Sequence, residues 1–67
     1  MEFYEWILQF TDEESPVGDL AYDIKRDPRF PKNNDYDDMQ WYISTKPPYV
    51  MSAFKEAYKR FLDSTNT

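Results

Sequence analysis

The side chains in this sequence that could do chemistry are carboxylates, a few hydroxyls and two groups of cations, because there is no histidine and no cysteine. The carboxylates cluster as Asp12-Glu13-Glu14 and Asp37-Asp38. Acid–base catalysis by a carboxylate pair requires burial to drive the two pKa values apart, and both runs read as solvated: one in a loop, the other in the first turn of a helix, where acids favour the dipole. Ser15 and Ser52 sit where helices begin and read as N-caps rather than nucleophiles, with no orienting base beside either. The alternating Asn33, Asp35 and Asp37 suggest a calcium loop, but that loop needs Gly at its sixth position and Glu at its twelfth, where Asp38 and Ser44 stand. The expectation is a chain without catalytic residues, cofactor or metal, and not an enzyme.

The cations carry the functional hint. Residues 1–23 contain seven acids and no base, whereas residues 25–32 hold Lys25, Arg26, Arg29 and Lys32 against Asp27 alone, and the remainder sums to −1. Lys55, Lys59 and Arg60 form a second basic group on the last helix. Such segregation keeps a small domain soluble, and it also suits a docking surface in which the acidic half meets a basic segment of another protein or of another copy. Phosphate contact by Lys25, Arg26, Arg29 and Lys32, with Lys59 and Arg60 nearby, is the rival reading. The net charge of −5 repels a polyanion, and no RNA-stacking motif is present. Trp41 completes the candidate surface. It falls about 140° from Tyr36 at 100° per residue, off the apolar stripe, and is expected to be covered by the Pro47-Pro48-Tyr49 turn or a neighbouring helix; left bare, it would be an interface anchor. The off-stripe Tyr4, Tyr22 and Tyr49 are expected mostly to pack sideways over neighbours.

Helices must position these groups. With 67 residues the chain is limited to a single domain, here taken as 1–67, and its 13 aromatic residues supply the core that disulfides cannot. Phe3, Trp6, Ile7 and Phe10 recur at i, i+3, i+4 and i+7 and predict a first helix. Ser15 as cap and Pro16 at the first helical position open a second, with Val17, Leu20, Ala21 and Ile24 inward, stopped at Asp27 by Pro28. Gly18 inside this helix costs about 1 kcal/mol relative to alanine and implies close packing there. Residues 28–34 form a connector anchored by Phe30. Asp35 caps a third helix carrying Tyr36, Met39, Tyr42 and Ile43, which ends at Lys46 before the prolines. Ser52 is expected to cap the last helix, with Phe54, Ala57, Tyr58 and Phe61 inward and residues 63–67 fraying. The architecture is all-α, a compact bundle of four short helices. No stretch approaches the roughly 20 apolar residues of a membrane span, and no export signal opens the chain. A cytoplasmic, non-membrane setting is expected.

In order along the chain, Phe3-Tyr4, Leu20-Ala21 with Ile24 and Asp27, Phe30-Pro31-Lys32, Asp35-Tyr36, Tyr42-Ile43, and Met51 with Phe54, Glu56-Ala57-Tyr58 and Phe61 resemble the YozE family of small bacterial proteins. Tyr58 stands where that family's closing helix has Trp, and Lys55 where it has an acid. The resemblance implies a SAM-like helical fold and a bacterial cytoplasmic setting, and it carries over no activity. The DNA-binding helix-hairpin-helix that SAM-like bundles suggest by shape needs a Gly-containing hairpin, and the connector between the second and third helices has no glycine. The combined expectation is a non-enzymatic protein-interaction module whose partner is another protein or, weakly, itself, with nucleic-acid binding as the alternative.

Overall fold

The structure, a computed structural model, describes residues 2–65. Four helices follow one another: α1 (Phe3–Ile7), α2 (Pro16–Arg26), α3 (Tyr36–Ser44) and α4 (Pro48–Thr65), with one 3-10 turn, Leu8–Phe10, after α1. Among the described residues there is no strand. The first helix is thus shorter than its apolar stripe, which runs on into the tighter turn. The Gln9 side-chain amide donates to the Trp6 carbonyl at 2.9 Å, a side-chain contact at the helix end where the winding tightens.

The caps read from the sequence hold α2 and α3. Ser15 Oγ accepts from the Gly18 amide at 3.1 Å, and Asp35 Oδ1 from the Asp38 amide at 3.2 Å. The last helix departs from expectation at both ends. It begins at Pro48, not after Ser52, because proline at the first position lacks only an amide that would be unpaired anyway, and the Pro47 carbonyl accepts from Val50 at 2.9 Å. Asp63, Ser64 and Thr65, expected to fray, continue the helix; Asn66 and Thr67 lie outside the described residues.

The core is one cluster into which every helix contributes. Phe3, Trp6 and Ile7 of α1, Val17, Leu20, Ala21 and Ile24 of α2, Met39 and Ile43 of α3, and Ala53, Phe54 and Ala57 of α4 are buried around the connector's Phe30. The long α4 packs against all three other helices. Phe10, Tyr36, Tyr42, Tyr58 and Phe61, expected inside, are only half-buried and lie against the cluster, since so small a molecule cannot enclose every ring. Ala53, which the apolar stripe omits, is buried on the side of α4 that faces α2.

α1 has no side-chain cap of its own. Its Tyr4 amide instead donates to Asn34 Oδ1 at 2.9 Å, from a residue 30 positions away whose φ of 62° lies in the left-handed region. Asparagine suits both tasks, tolerating that conformation while supplying the acceptor. Asn34→Gly, which keeps the backbone and loses the cap, is expected to cost about 1 kcal/mol, and Asn34→Ala, which adds left-handed strain, about 2–3 kcal/mol. Urea unfolding of the two variants checks the order: equal losses would show that the cap alone matters.

Candidate interaction surface

α2 and α4 run antiparallel. Arg60, in the second half of α4, lies beside Ser15 at the start of α2, while Val50, near the start of α4, lies beside Ile24 and Asp27 at the end of α2. Between them is a groove of about 550 Å³ with Val17, Leu20, Val50 and Ala53 on its floor and Asp19, Asp23 and Glu56 along its rim. A smaller hollow of about 290 Å³ continues it past Tyr49 to Asp27, Tyr42 and Lys46. Tyr49, Ala53, Glu56 and Arg60 recur at i, i+4, i+7 and i+11, so one face of α4 forms one wall of the groove. Starting α4 at Ser52 hides this face, which is why sequence reasoning missed Tyr49 as a surface residue; the doubled proline before it was the available signal.

Arg60 closes one end of the groove, but as half of an ion pair. Its Nη1 lies 3.0 Å from both carboxylate oxygens of Glu13, and Glu13 also accepts from the Ser15 hydroxyl. The Ser15 hydroxyl first and the guanidinium second hold the Glu13 carboxyl below its ordinary range. Both partners are partly exposed, so this pair organises the loop before α2 more than it stabilises the fold. It also takes Arg60 out of the free cations.

Lys25, Arg26, Arg29 and Lys32 are all exposed, at the end of α2 and along the connector. Arg26 lies over the Tyr22 ring at 5.2 Å and Lys32 over the Tyr4 ring at 5.7 Å. Arg60 is not their neighbour as expected: it sits ten residues beyond Val50, about 15 Å along α4 from the end of α2. Lys59 is exposed and turned 100° around α4 from Arg60. Asp27, amid the four cations, accepts from the Arg29 amide at 2.9 Å and from the Tyr42 hydroxyl.

The Tyr42 hydroxyl, then the Arg29 amide, lower the Asp27 pKa, and Asp27 in turn raises that of Tyr42. A carboxylate depressed in the folded state lends stability above its unfolded pKa and loses it as the pH falls through the folded value. The contact should therefore survive into acid below the ordinary aspartate range and be released only as the pH falls through the depressed folded value. Tyr42→Phe is expected to bring the Asp27 titration, followed by carboxyl NMR, up toward the ordinary aspartate range; an unchanged midpoint would show that the phenol does not set it.

Trp41 is 71% exposed. The Pro47-Pro48-Tyr49 segment does not cover it, because Pro48 and Tyr49 belong to α4 and Tyr49, itself 73% exposed, lines the groove instead. Of the other off-stripe rings, Tyr4 stacks on Phe30 at 6.3 Å and Tyr22 is exposed beneath Arg26. In a Trp6→Phe variant the remaining Trp41 should emit at the red wavelength of a wet indole; a blue maximum would place it under cover.

Asn33 Oδ1 accepts from the Asp35 amide and Asn33 Nδ2 donates to Asp38, so the suspected calcium oxygens serve the α3 cap. Among the described residues no group of three or more acids is placed to hold a metal ion, and no helix is long and apolar enough to cross a membrane.

The family model for the YozE SAM-like fold matches residues 2–63. The chain belongs to the YozE SAM-like family. The match takes in α1, α2, α3 and all but the last two residues of α4, so the groove and both cation groups lie within the YozE SAM-like region. No curated protein and no solved structure matches the chain.

Proposed function

We propose that this YozE-family chain is a non-enzymatic protein-interaction module that acts in the cytoplasm and docks through segregated charge. The observation that carries the reading is the open α2–α4 groove, where an apolar floor and the exposed Tyr49 are edged by Asp19, Asp23 and Glu56 while Arg60, at the groove's end, is held by Glu13. An apolar centre with a polar rim is the anatomy of a protein interface, and exposed Tyr and Trp are the residues that most often anchor one. The acid rim selects cationic partners and repels anionic ones. Immobilised protein should retain a protein in stoichiometric amount from lysate at about 0.1 M salt and release it near 0.5 M, where the Debye length falls to about 4 Å. Asp19→Lys with Asp23→Lys should abolish that retention, and retention indifferent to those changes would overturn the reading.

A second reading has its own support: Lys25, Arg26, Arg29 and Lys32 are solvent-exposed, two of them over tyrosine rings that nucleobases could share. It predicts a gel shift of single-stranded RNA or DNA at low ionic strength that Arg29→Glu removes. The withdrawal of Arg60 and the net charge of −5 oppose it.

A further inference from the structure

We infer that the α2–α4 groove receives the Lys55, Lys59 and Leu62 ridge of a second copy of this chain. The inference rests on the interaction-module reading and names its partner. Lys55, Lys59 and Leu62 recur at i, i+4 and i+7 on α4 and are all exposed, Leu62 to 46%. Among the described residues neither lysine forms an ion pair within 4 Å. The groove offers the complement: Asp19 and Asp23 are likewise one helical turn apart, so two lysines spaced about 6 Å along one helix meet two aspartates with the same spacing on another. Leu62 then enters against Leu20, Ala53 and the Tyr49 ring, where it loses its exposure to water. The cations at the end of α2 and along the connector make a poorer ridge, since Arg26 and Lys32 already lie over rings of their own chain and the connector's large apolar side chain, Phe30, is buried.

The ridge and the groove face lie about 120° apart around α4, so one molecule can offer its ridge while its own groove is filled. The contact is therefore heterologous, and copies add head to tail. Each copy carries −5, so the copies repel one another at long range. Association should be greatest near 0.1 M salt, where a Debye length of about 10 Å screens that repulsion while the close Lys–Asp pairs persist, and should be lost near 0.5 M.

Sedimentation of the purified 67-residue chain tests this, with a charge-swapped pair of variants. Variant one carries Lys55→Glu and Lys59→Glu; variant two carries Asp19→Lys and Asp23→Lys. All four positions are exposed, and thermal melting of each variant checks that it is folded. The wild type at about 1 mM should show at least about a doubling of weight-average mass at 0.1 M salt, and each variant alone should stay monomeric. Their equimolar mixture should regain the growth, because each swapped face then meets its new opposite. A wild type that remains monomeric overturns the inference, as does a mixture that stays monomeric while the wild type associates. The lysate experiment above separates the two failures: a monomer that still retains a protein loses this partner and keeps the module reading, whereas a monomer that retains nothing loses both.

Discussion

Gly18→Ala is expected to destabilise the protein by about 2–3 kcal/mol, against the gain of about 1 kcal/mol that helix propensity alone would assign to it. A methyl group built on Gly18 would lie 1.7 Å from the Glu13 carbonyl oxygen and 2.6 Å from its carbon, backbone atoms that cannot rotate away. To make room, the loop before α2 must move. That loop carries the Glu13 amide bond to the Phe10 carbonyl at 3.0 Å, the Ser15 amide bond to Glu13 at 3.0 Å, and the side chain that holds Arg60. The Ser15 cap on the Gly18 amide is strained by the same shift, and caps of this kind are worth about 1 kcal/mol. Thermal melting should fall by about 10–20 °C in a domain of this size. A rise in melting temperature would mean that propensity outweighs contact at this site.

Phe3→Ala should have the larger effect, a loss of about 3–5 kcal/mol, comparable to the whole folding free energy of a domain this small, at about 0.05–0.15 kcal/mol per residue. Phe3 is 1% exposed, and its ring centroid lies 5.9 Å from Trp6, 5.8 Å from Phe54, 5.2 Å from Tyr58 and 5.6 Å from Phe61. Its removal leaves a cavity bounded by rings from α1 and α4 that cannot collapse without breaking their edge contacts. The far-UV signal at 25 °C should be substantially lost, whereas Phe3→Leu, which keeps most of the volume, should remain folded. Two variants of equal stability would show that packing around this ring is loose.

Both sites were partly legible in the sequence, and the part that was not is tertiary. Glycine inside a helix announces a close approach but not what approaches; Glu13 is five residues back, brought there by the 3-10 turn that shortens α1. The helices of the bundle follow from apolar spacing, and Ser15 and Asp35 from capping chemistry that acts within three residues. The candidate surface was less legible. A groove is made by two helices, and its α4 wall depends on whether that helix begins at Pro48 or at Ser52. Pairing of Arg60 with Glu13 spans 47 residues, a distance over which one-dimensional charge counting puts Arg60 in the wrong group. Trp41 was misplaced because the turn meant to shelter it is itself the opening of α4.

The bond from the Tyr4 amide to Asn34 has a consequence for cooperativity. A helix of five residues has no helix–coil stability of its own, since it barely outlasts the nucleation cost. Its order is thus borrowed, through Asn34 from the connector and through Phe3, Trp6 and Ile7 from α2 and α4. The borrowing runs both ways, because these three buried side chains belong to the core cluster to which α2 and α4 also contribute. The N-terminal segment cannot peel away as a separate unit, and its amides should become accessible only in molecules that have lost everything else.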